Sequence, residues 1–251
     1  MGLAMAEKLG QLGYRLVLLA RNPDKLKVAK EKLRSKGYEA EYFFCDVTVP
    51  ASLSKVAMEL VENYSSIDFL AINAGVVAPK LLEDKEFDEI AQELNTNLLG
   101  AIYSTRAFLP LLQPGGTVVL ISSGFGLMGA AGYSIYCASK AGMINFAEAL
   151  RRELKHKKIS VSVACPGDID TPQYHKETKD MPVWMKGAKS PRGLKSAAAV
   201  AQYIVKGAMK RQFLILPHFE VRTLTWVSRV LPRALKDRLL DKLFPLPNSR
   251  N

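Results

Sequence analysis

The stretch Thr117–Gly167, TVVLISSGFGLMGAAGYSIYCASKAGMINFAEALRRELKHKKISVSVACPG, decides the fold. It opens on a compact apolar run, Thr117–Ser122, and closes on a second, Ile159–Ala164, with a helix-length segment, Tyr136–Lys155, between them. Continuous apolar runs separated by helices read as parallel strands covered on both faces. Ligands of such sheets bind beyond the carboxyl ends of the strands, so the residues just after each run are where chemistry is expected.

The same alternation extends outward in both directions. Arg15–Ala20, Glu41–Cys45 and Ile67–Ile72 read as earlier strands, and Phe213–Leu216 as a short last one. Leu3–Leu12, Lys25–Lys36 (stopped by Gly37), Ala51–Tyr64 and Phe87–Leu112 read as helices. The expected class is α/β, a doubly wound parallel sheet with helices on both faces. With no linker and no repeat, residues 1–251 are expected to form a single domain, with a core over 1–217 and an amphipathic helical extension over 218–251.

Composition narrows the function. Hydrophobic residues make up 48% of the 251, which suits a globular chain. No apolar run reaches the roughly 18–20 residues needed to span a bilayer. The first residues contain Glu7 and Lys8, unlike a secretory leader, so a cytoplasmic location is expected. Cys45, Cys137 and Cys165 form no CxxC pair, and His156, His175 and His218 are scattered, so no metal site is expected. The net charge of +11 suits anionic ligands or an anionic membrane surface; zinc-finger and aromatic-basic RNA signatures are missing, so nucleic acid is not an expected partner.

The strongest constellation is Tyr136-Cys-Ala-Ser-Lys140. Residues four apart share a helix face. A lysine there is expected to favour the phenolate and lower the tyrosine pKa, fitting it to exchange a proton with a carbonyl oxygen. Ser123 follows a strand directly and precedes Tyr136 by a loop whose Gly124–Tyr133 stretch holds four glycines. A hydroxyl there can hydrogen-bond a carbonyl. With this order and spacing, Ser123, Tyr136 and Lys140 resemble the catalytic set of the short-chain dehydrogenase/reductase family, and Asn73-Ala74-Gly75, Asn97-Leu-Leu-Gly100 and Pro166-Gly167 resemble its NAG, NxxG and PG motifs. The resemblance runs from Gly2 to about residue 216 and implies a Rossmann-type fold and an NAD(P) cofactor. It implies that Asn97 joins a proton relay with Lys140. It also implies that Gly2, Asp46, Val47, Asn73, Ala74, Gly75, Tyr136, Lys140, Pro166, Gly167, Ile169 and Thr171 line the cofactor.

The strand Arg15–Ala20, which matches the family's second, ends in Ala20-Arg21-Asn22, without the carboxylate that holds a ribose 2′-hydroxyl in NAD enzymes. Arg21, with Asn22 as helper, suits the 2′-phosphate of NADP instead, so NADPH and the reductive direction are expected. Gly2 aligns with the last glycine of the family's TGxxxGxG. The family's first strand and earlier glycines have no counterpart here, which is expected to leave a gap in the sheet and remove much of the pyrophosphate cradle; a start upstream of Met1 is the favoured explanation, a real short form, poorly folded or inactive, the alternative.

Gln173–Leu194 falls on the family's variable substrate side and reads as a lid or a solvated loop. In 219–244 Leu224, Trp226, Val227, Val230, Leu231 and Leu235 interleave with Arg222, Arg229, Arg233, Lys236, Arg238 and Lys242. A basic amphipathic helix pair can lie on a membrane interface, pack on its own domain or join two copies in a homo-oligomer. With Pro166-Gly-Asp-Ile-Asp-Thr-Pro172, the tail resembles the branch that reduces 3-ketosphinganine with NADPH at the cytosolic side of a membrane. Other carbonyl or 3-oxoacyl reductases, and a non-catalytic binding protein on the same fold, are the alternatives.

Overall fold

A computed structural model describes residues 1–182, 184–185 and 194–243. Helix α1 (Gly2–Gly10) leads to β1 (Leu16–Ala20), α2 (Pro23–Arg34), β2 (Ala40–Phe44), α3 (Pro50–Asn63) and β3 (Ile67–Ile72). Next come α4 (Phe87–Leu94), a π-helical turn (Asn95–Leu99), α5 (Gly100–Phe108), β4 (Leu112–Ile121) and α6 (Ser134–Glu153). The chain closes through β5 (Ser160–Ala164), β6 (Ile169–Asp170), α7 (Pro172–Asp180), β7 (Lys195–Ser196), α8 (Ala197–Met209), β8 (Leu214–Ile215), α9 (Phe219–Val230) and α10 (Arg233–Leu243).

All strand pairs are parallel, and the main sheet is divided. β1 pairs with β2 from Leu16↔Ala40 to Ala20↔Phe44, while β3, β4, β5 and β8 form a separate sheet in that order. The gap expected from the sequence is therefore present. Between β1 and β3 lies a cavity of about 1300 Å³, lined on its two sides by Leu16–Ala20 and Ile67–Ile72.

Successive β4 residues face opposite layers, as a strand's period of two requires. Val119 and Ile121 pack with Met5 and Leu9 of α1 and Val200 and Ile204 of α8. Val118 and Leu120 pack with Met143, Ala147 and Leu150 of α6. Leu53, Val56 and Leu60 of α3 meet Phe108 of α5 in a third cluster. Each fully buried Leu, Ile or Met side chain contributes about 1.5–3 kcal/mol, so these layers hold the catalytic side of the sheet even where it is split.

Two expectations are corrected. The helix expected over Phe87–Leu112 runs on through a π turn at Asn95–Leu99 but ends at Phe108; Leu112 already belongs to β4. Pro110 cannot continue a helix, and Gly115, at φ +95, bends the start of the strand. The segment read as a loop after Thr171 begins as a helix, α7, whose N-cap is Thr171 and whose first residue is Pro172. Residues 186–193 of that segment, and Phe244 at the end of the tail, lie outside the described residues.

Candidate active site

Three strand ends and one helix bring the chemistry-bearing side chains together. Ser123 follows β4 and caps a short 3₁₀ turn, its Oγ accepting the Phe125 N–H at 3.2 Å. The Ser123 hydroxyl is near enough to the Tyr136 phenol to act on its ionisation. Lys140, one turn along α6, places Nζ 5.6 Å from the centre of the Tyr136 ring and donates to the Ile121 carbonyl at 2.9 Å. A Cβ on Gly75 would lie 3.3 Å from Asn97 Oδ1 and 3.4 Å from Lys140 Nζ, so this glycine is the seam where the NAG turn, the π turn and α6 meet. A π turn at this point re-aims a side chain without ending the helix.

Electrostatics depart from the expectation in one respect. Burial pushes the Tyr136 phenol above its ordinary range, the Ser123 hydroxyl only partly opposing it, and Glu177 and Glu93 push it further up. Lys140 is not what sets the phenol here. Burial instead moves the ammonium itself, from its ordinary 10.5 down to about 8, with Cys165 and Glu93 opposing. A motif gives the spacing of two groups but not their desolvation, which depends on tertiary packing.

Asn97 is fully buried and spoken for: Oδ1 accepts the Val76 N–H at 2.7 Å, and Nδ2 donates to Val76 O at 2.8 Å and to Ser139 Oγ at 3.2 Å. It reaches Lys140 across Gly75, without a direct hydrogen bond to it among the described residues. At the other end of the cleft, Arg21 Nη1 stands 3.9 Å from Asp46 Oδ2 with its side chain about half exposed (47%). Asn22 caps α2, its Oδ1 accepting the Lys25 N–H at 2.8 Å. Burial acts to raise Asp46, but bonds from the Thr48 N–H and hydroxyl and the nearby Arg21 charge outweigh it and hold the carboxyl below its usual range. Val47 packs on Gly100, and the start of α1 meets Asn73, where a Cβ on Gly2 would lie 3.0 Å from Asn73 Nδ2. Ala74 lines the cavity with Asn73 and Gly75.

The turn after β5 is held by a residue the motifs do not include. His218 Nδ1 accepts the Gly167 N–H at 3.1 Å and Nε2 donates to the Asp168 carbonyl at 3.0 Å. Burial lowers its pKa, keeping the ring neutral in this bridging tautomer. Gly124 N–H donates to the Pro166 carbonyl at 2.8 Å, tying this turn to the serine loop. Thr171 Oγ1 donates to Ile169 O at 3.3 Å and accepts the Tyr174 N–H at 3.3 Å, so it caps α7. Tyr133 is the second unforeseen residue: it stacks against Phe125, and its hydroxyl donates to Glu177 of α7 at 2.6 Å. No group of three metal-ligating residues occurs among the described residues.

The short chain dehydrogenase family matches residues 1–182. Over 238 residues the chain is 31% identical to an 11-beta-hydroxysteroid dehydrogenase-like 4A of Arabidopsis thaliana, covering 92% of this chain and 77% of that one. Over 182 residues it is 35% identical to the Homo sapiens 3-oxoacyl-(acyl-carrier-protein) reductase, covering 72% and 74%. Over 208 residues it is 30% identical to the Bos taurus 3-ketodihydrosphingosine reductase, covering 80% of this chain and 63% of the relative. A solved short chain dehydrogenase/reductase from Burkholderia phymatum, in complex with NAD, superimposes with a TM-score of 0.81 at 24% identity, over 99% of this chain and 94% of that one. The chain belongs to the short-chain dehydrogenase family. It is an oxidoreductase of that family, whose members take a nicotinamide dinucleotide.

Proposed function

We propose that this protein uses NADPH to reduce the ketone of a long-chain lipid, of the 3-ketosphinganine kind, to a secondary alcohol. The observation that carries the reading is the convergence of Ser123, Tyr136 and Lys140 at the carboxyl end of β4, with Arg21 in place of a carboxylate at the end of β1. The residues present fit the dinucleotide: Gly75 leaves open space beside Lys140 Nζ where a side chain would crowd, and the exposed Arg21 guanidinium suits a 2′-phosphate.

When bound, NADPH supplies the hydride. The chain's residues do the rest. Ser123 donates a hydrogen bond that orients the substrate carbonyl. Tyr136, protonated at neutral pH because burial raises it, gives its proton to the carbonyl oxygen. Lys140, cationic at neutral pH, stabilises the phenolate left behind and holds the nicotinamide ribose. Asn97 fixes the Val76 wall beside Lys140.

The lipid part of the reading rests on the tail. Phe219, Trp226 and Val230 recur at helical spacing on α9 and are 60%, 67% and 62% exposed, beside the exposed Arg222. No helix among the described residues is long and apolar enough to cross a membrane. This face is suited to lie on an anionic lipid surface, which would place the protein peripherally on the cytosolic side of a membrane.

Turnover of 3-ketosphinganine against a 3-oxoacyl thioester, with NADPH and with NADH, tests the reading. The sphingoid ketone with NADPH is expected to be the better pair, and Tyr136→Phe to abolish it. Preference for the thioester moves the substrate towards that of the human relative. If wild type and Tyr136→Phe reduce ketones equally, the mechanism is wrong; if neither reduces any ketone, a binding role on the same fold takes its place.

A further inference from the structure

The chain leaving β3 is gripped at every second residue by one face of the neighbouring helical stretch. Asn97 holds both the N–H and the carbonyl of Val76. Glu93 Oε1 accepts the Ala78 N–H at 3.4 Å, and Glu89 meets Lys80 Nζ at 2.7 Å. Positions 89, 93 and 97 rise about 6 Å per four residues of helix, close to the roughly 6.6 Å that two extended residues span. The two chains therefore run antiparallel and in register.

The middle rung is an ion pair inside the protein. Lys85 Nζ is fully buried; it donates to Glu93 Oε2 at 2.9 Å and to the Ala78 carbonyl at 2.7 Å. Ala78 thus has both polar groups held by the pair, as Val76 has by Asn97. Buried ion pairs contribute little net stability, because desolvation offsets their attraction, but they fix geometry where every polar atom is bonded. Between the rungs, Val77 packs against Ala130, Tyr133 and Cys137, so the held segment is a wall of the site. The Glu93 charge is also felt at Tyr136 and Lys140 on α6.

We infer that Lys85 and Glu93 are positioning residues of the active site: they clamp the Val76–Ala78 wall beside Asn97, against which the Tyr136–Lys140 pair is set. The inference takes the location of the site from the reading above, but its test needs no turnover. In the wild type the Val76 and Ala78 amides are expected to resist hydrogen exchange; free exchange there would overturn the clamp. Lys140 is then titrated by NMR in protein carrying ¹³C at the lysine ε-carbon, its signal assigned by its loss in Lys140→Arg. The groups facing this ammonium are Tyr136 on its own helix, Cys165 after β5 and Glu93 on α4, with the Ile121 carbonyl as acceptor.

The wild-type midpoint is expected at about 8. Glu93→Gln removes a charge that holds Lys140 up, so the midpoint is expected to fall by roughly half a unit. Lys85→Met/Glu93→Gln, which leaves no unpaired buried charge, also removes the opposing Lys85 cation, so its midpoint is expected to fall by less; it serves if the single variant does not fold. Lys85→Met alone is expected to speed exchange at Ala78 by about tenfold. An unmoved midpoint in either folded variant carrying Glu93→Gln overturns the inference, because a merely structural pair would change stability and leave Lys140 where it was. If Tyr136→Phe kept full reductase activity while the midpoint moved, the functional reading would fall and the clamp would stand.

Discussion

Ser122 and Lys140 are tied in both directions. Ser122 Oγ donates to the Lys140 carbonyl at 2.9 Å, while Lys140 Nζ donates to the carbonyl of Ile121, next to Ser122, at 2.9 Å. The end of β4 and the second turn of α6 are therefore locked at the ammonium the chemistry uses. Ser122→Ala removes this second donor, the Lys140 carbonyl keeping its helical partner, and is expected to cost about 1 kcal/mol in urea unfolding. It should lower kcat more than it raises KM for NADPH, since the ribose contact remains.

Lys140 itself is held at a cost to stability. Its pKa is depressed on folding, so the unfolded chain binds the proton more tightly. That penalty is fully present below pH 8 and is relieved as pH rises from about 8 towards 10.5. The penalty exceeds the roughly 1 kcal/mol of its one hydrogen bond to Ile121. Lys140→Met is thus expected to raise Tm at pH 7 while abolishing activity, and the gain should shrink by pH 10. Melts of both proteins across that range check the sign; a gain that grew with pH would contradict it.

Gly126 lets the serine loop touch α6. A Cβ there would lie 2.7 Å from Ser122 Oγ and 2.9 Å from the Lys140 backbone carbonyl, and backbone cannot swing aside. Gly126→Ala is expected to destabilise by about 1–3 kcal/mol and to disturb the same lock. Gly129, where an added Cβ meets nothing within 4 Å, is the control: Gly129→Ala should leave stability nearly unchanged.

Arg21 sets the cofactor preference in the proposed function. Arg21→Glu is expected to weaken NADPH binding by about 10- to 100-fold, equivalent to roughly 1.4–2.8 kcal/mol, and NADH binding much less. Fluorescence titration of the reduced cofactors at two salt concentrations checks this, because the lost contact is ionic and its effect should fall with salt.

The exposed face of α9 is the proposed membrane contact. Phe219→Ser/Trp226→Ser is expected to reduce co-sedimentation with phosphatidylserine vesicles several-fold at unchanged Tm. Loss of a dimer instead, read by light scattering, would assign the face to a second copy.

Much of the architecture was legible in the sequence because the strands are short apolar runs and the helices between them carry an apolar stripe. Ile67–Ile72 was placed to the residue. The serine, tyrosine and lysine were singled out by their spacing together with the strand end before Ser123 and the family resemblance these carry. Helix α7 was not, because PQYHKETKD has no buried residue and so no period; only the Thr171-Pro172 cap marked its start. His218 and the Lys85–Glu93 pair were hidden because their partners lie in backbone that only the fold brings near. The direction of the Tyr136 shift was hidden for the same reason, burial being a property of the whole packing.

Arg21, Asp46 and Val47 stand beyond one sheet, and Ser123, Tyr136 and Gly167 beyond or beside the other, with the cavity between β1 and β3 separating the two. Helices, not backbone pairing, carry the load across that seam. In the proposed function, a dinucleotide gripped at both ends would then be a splint as well as a reagent. At a hundredfold excess over Kd it adds about 2.7 kcal/mol to stability, whereas adenosine 2′,5′-bisphosphate or nicotinamide mononucleotide, each held on one side only, braces one half and leaves the seam open.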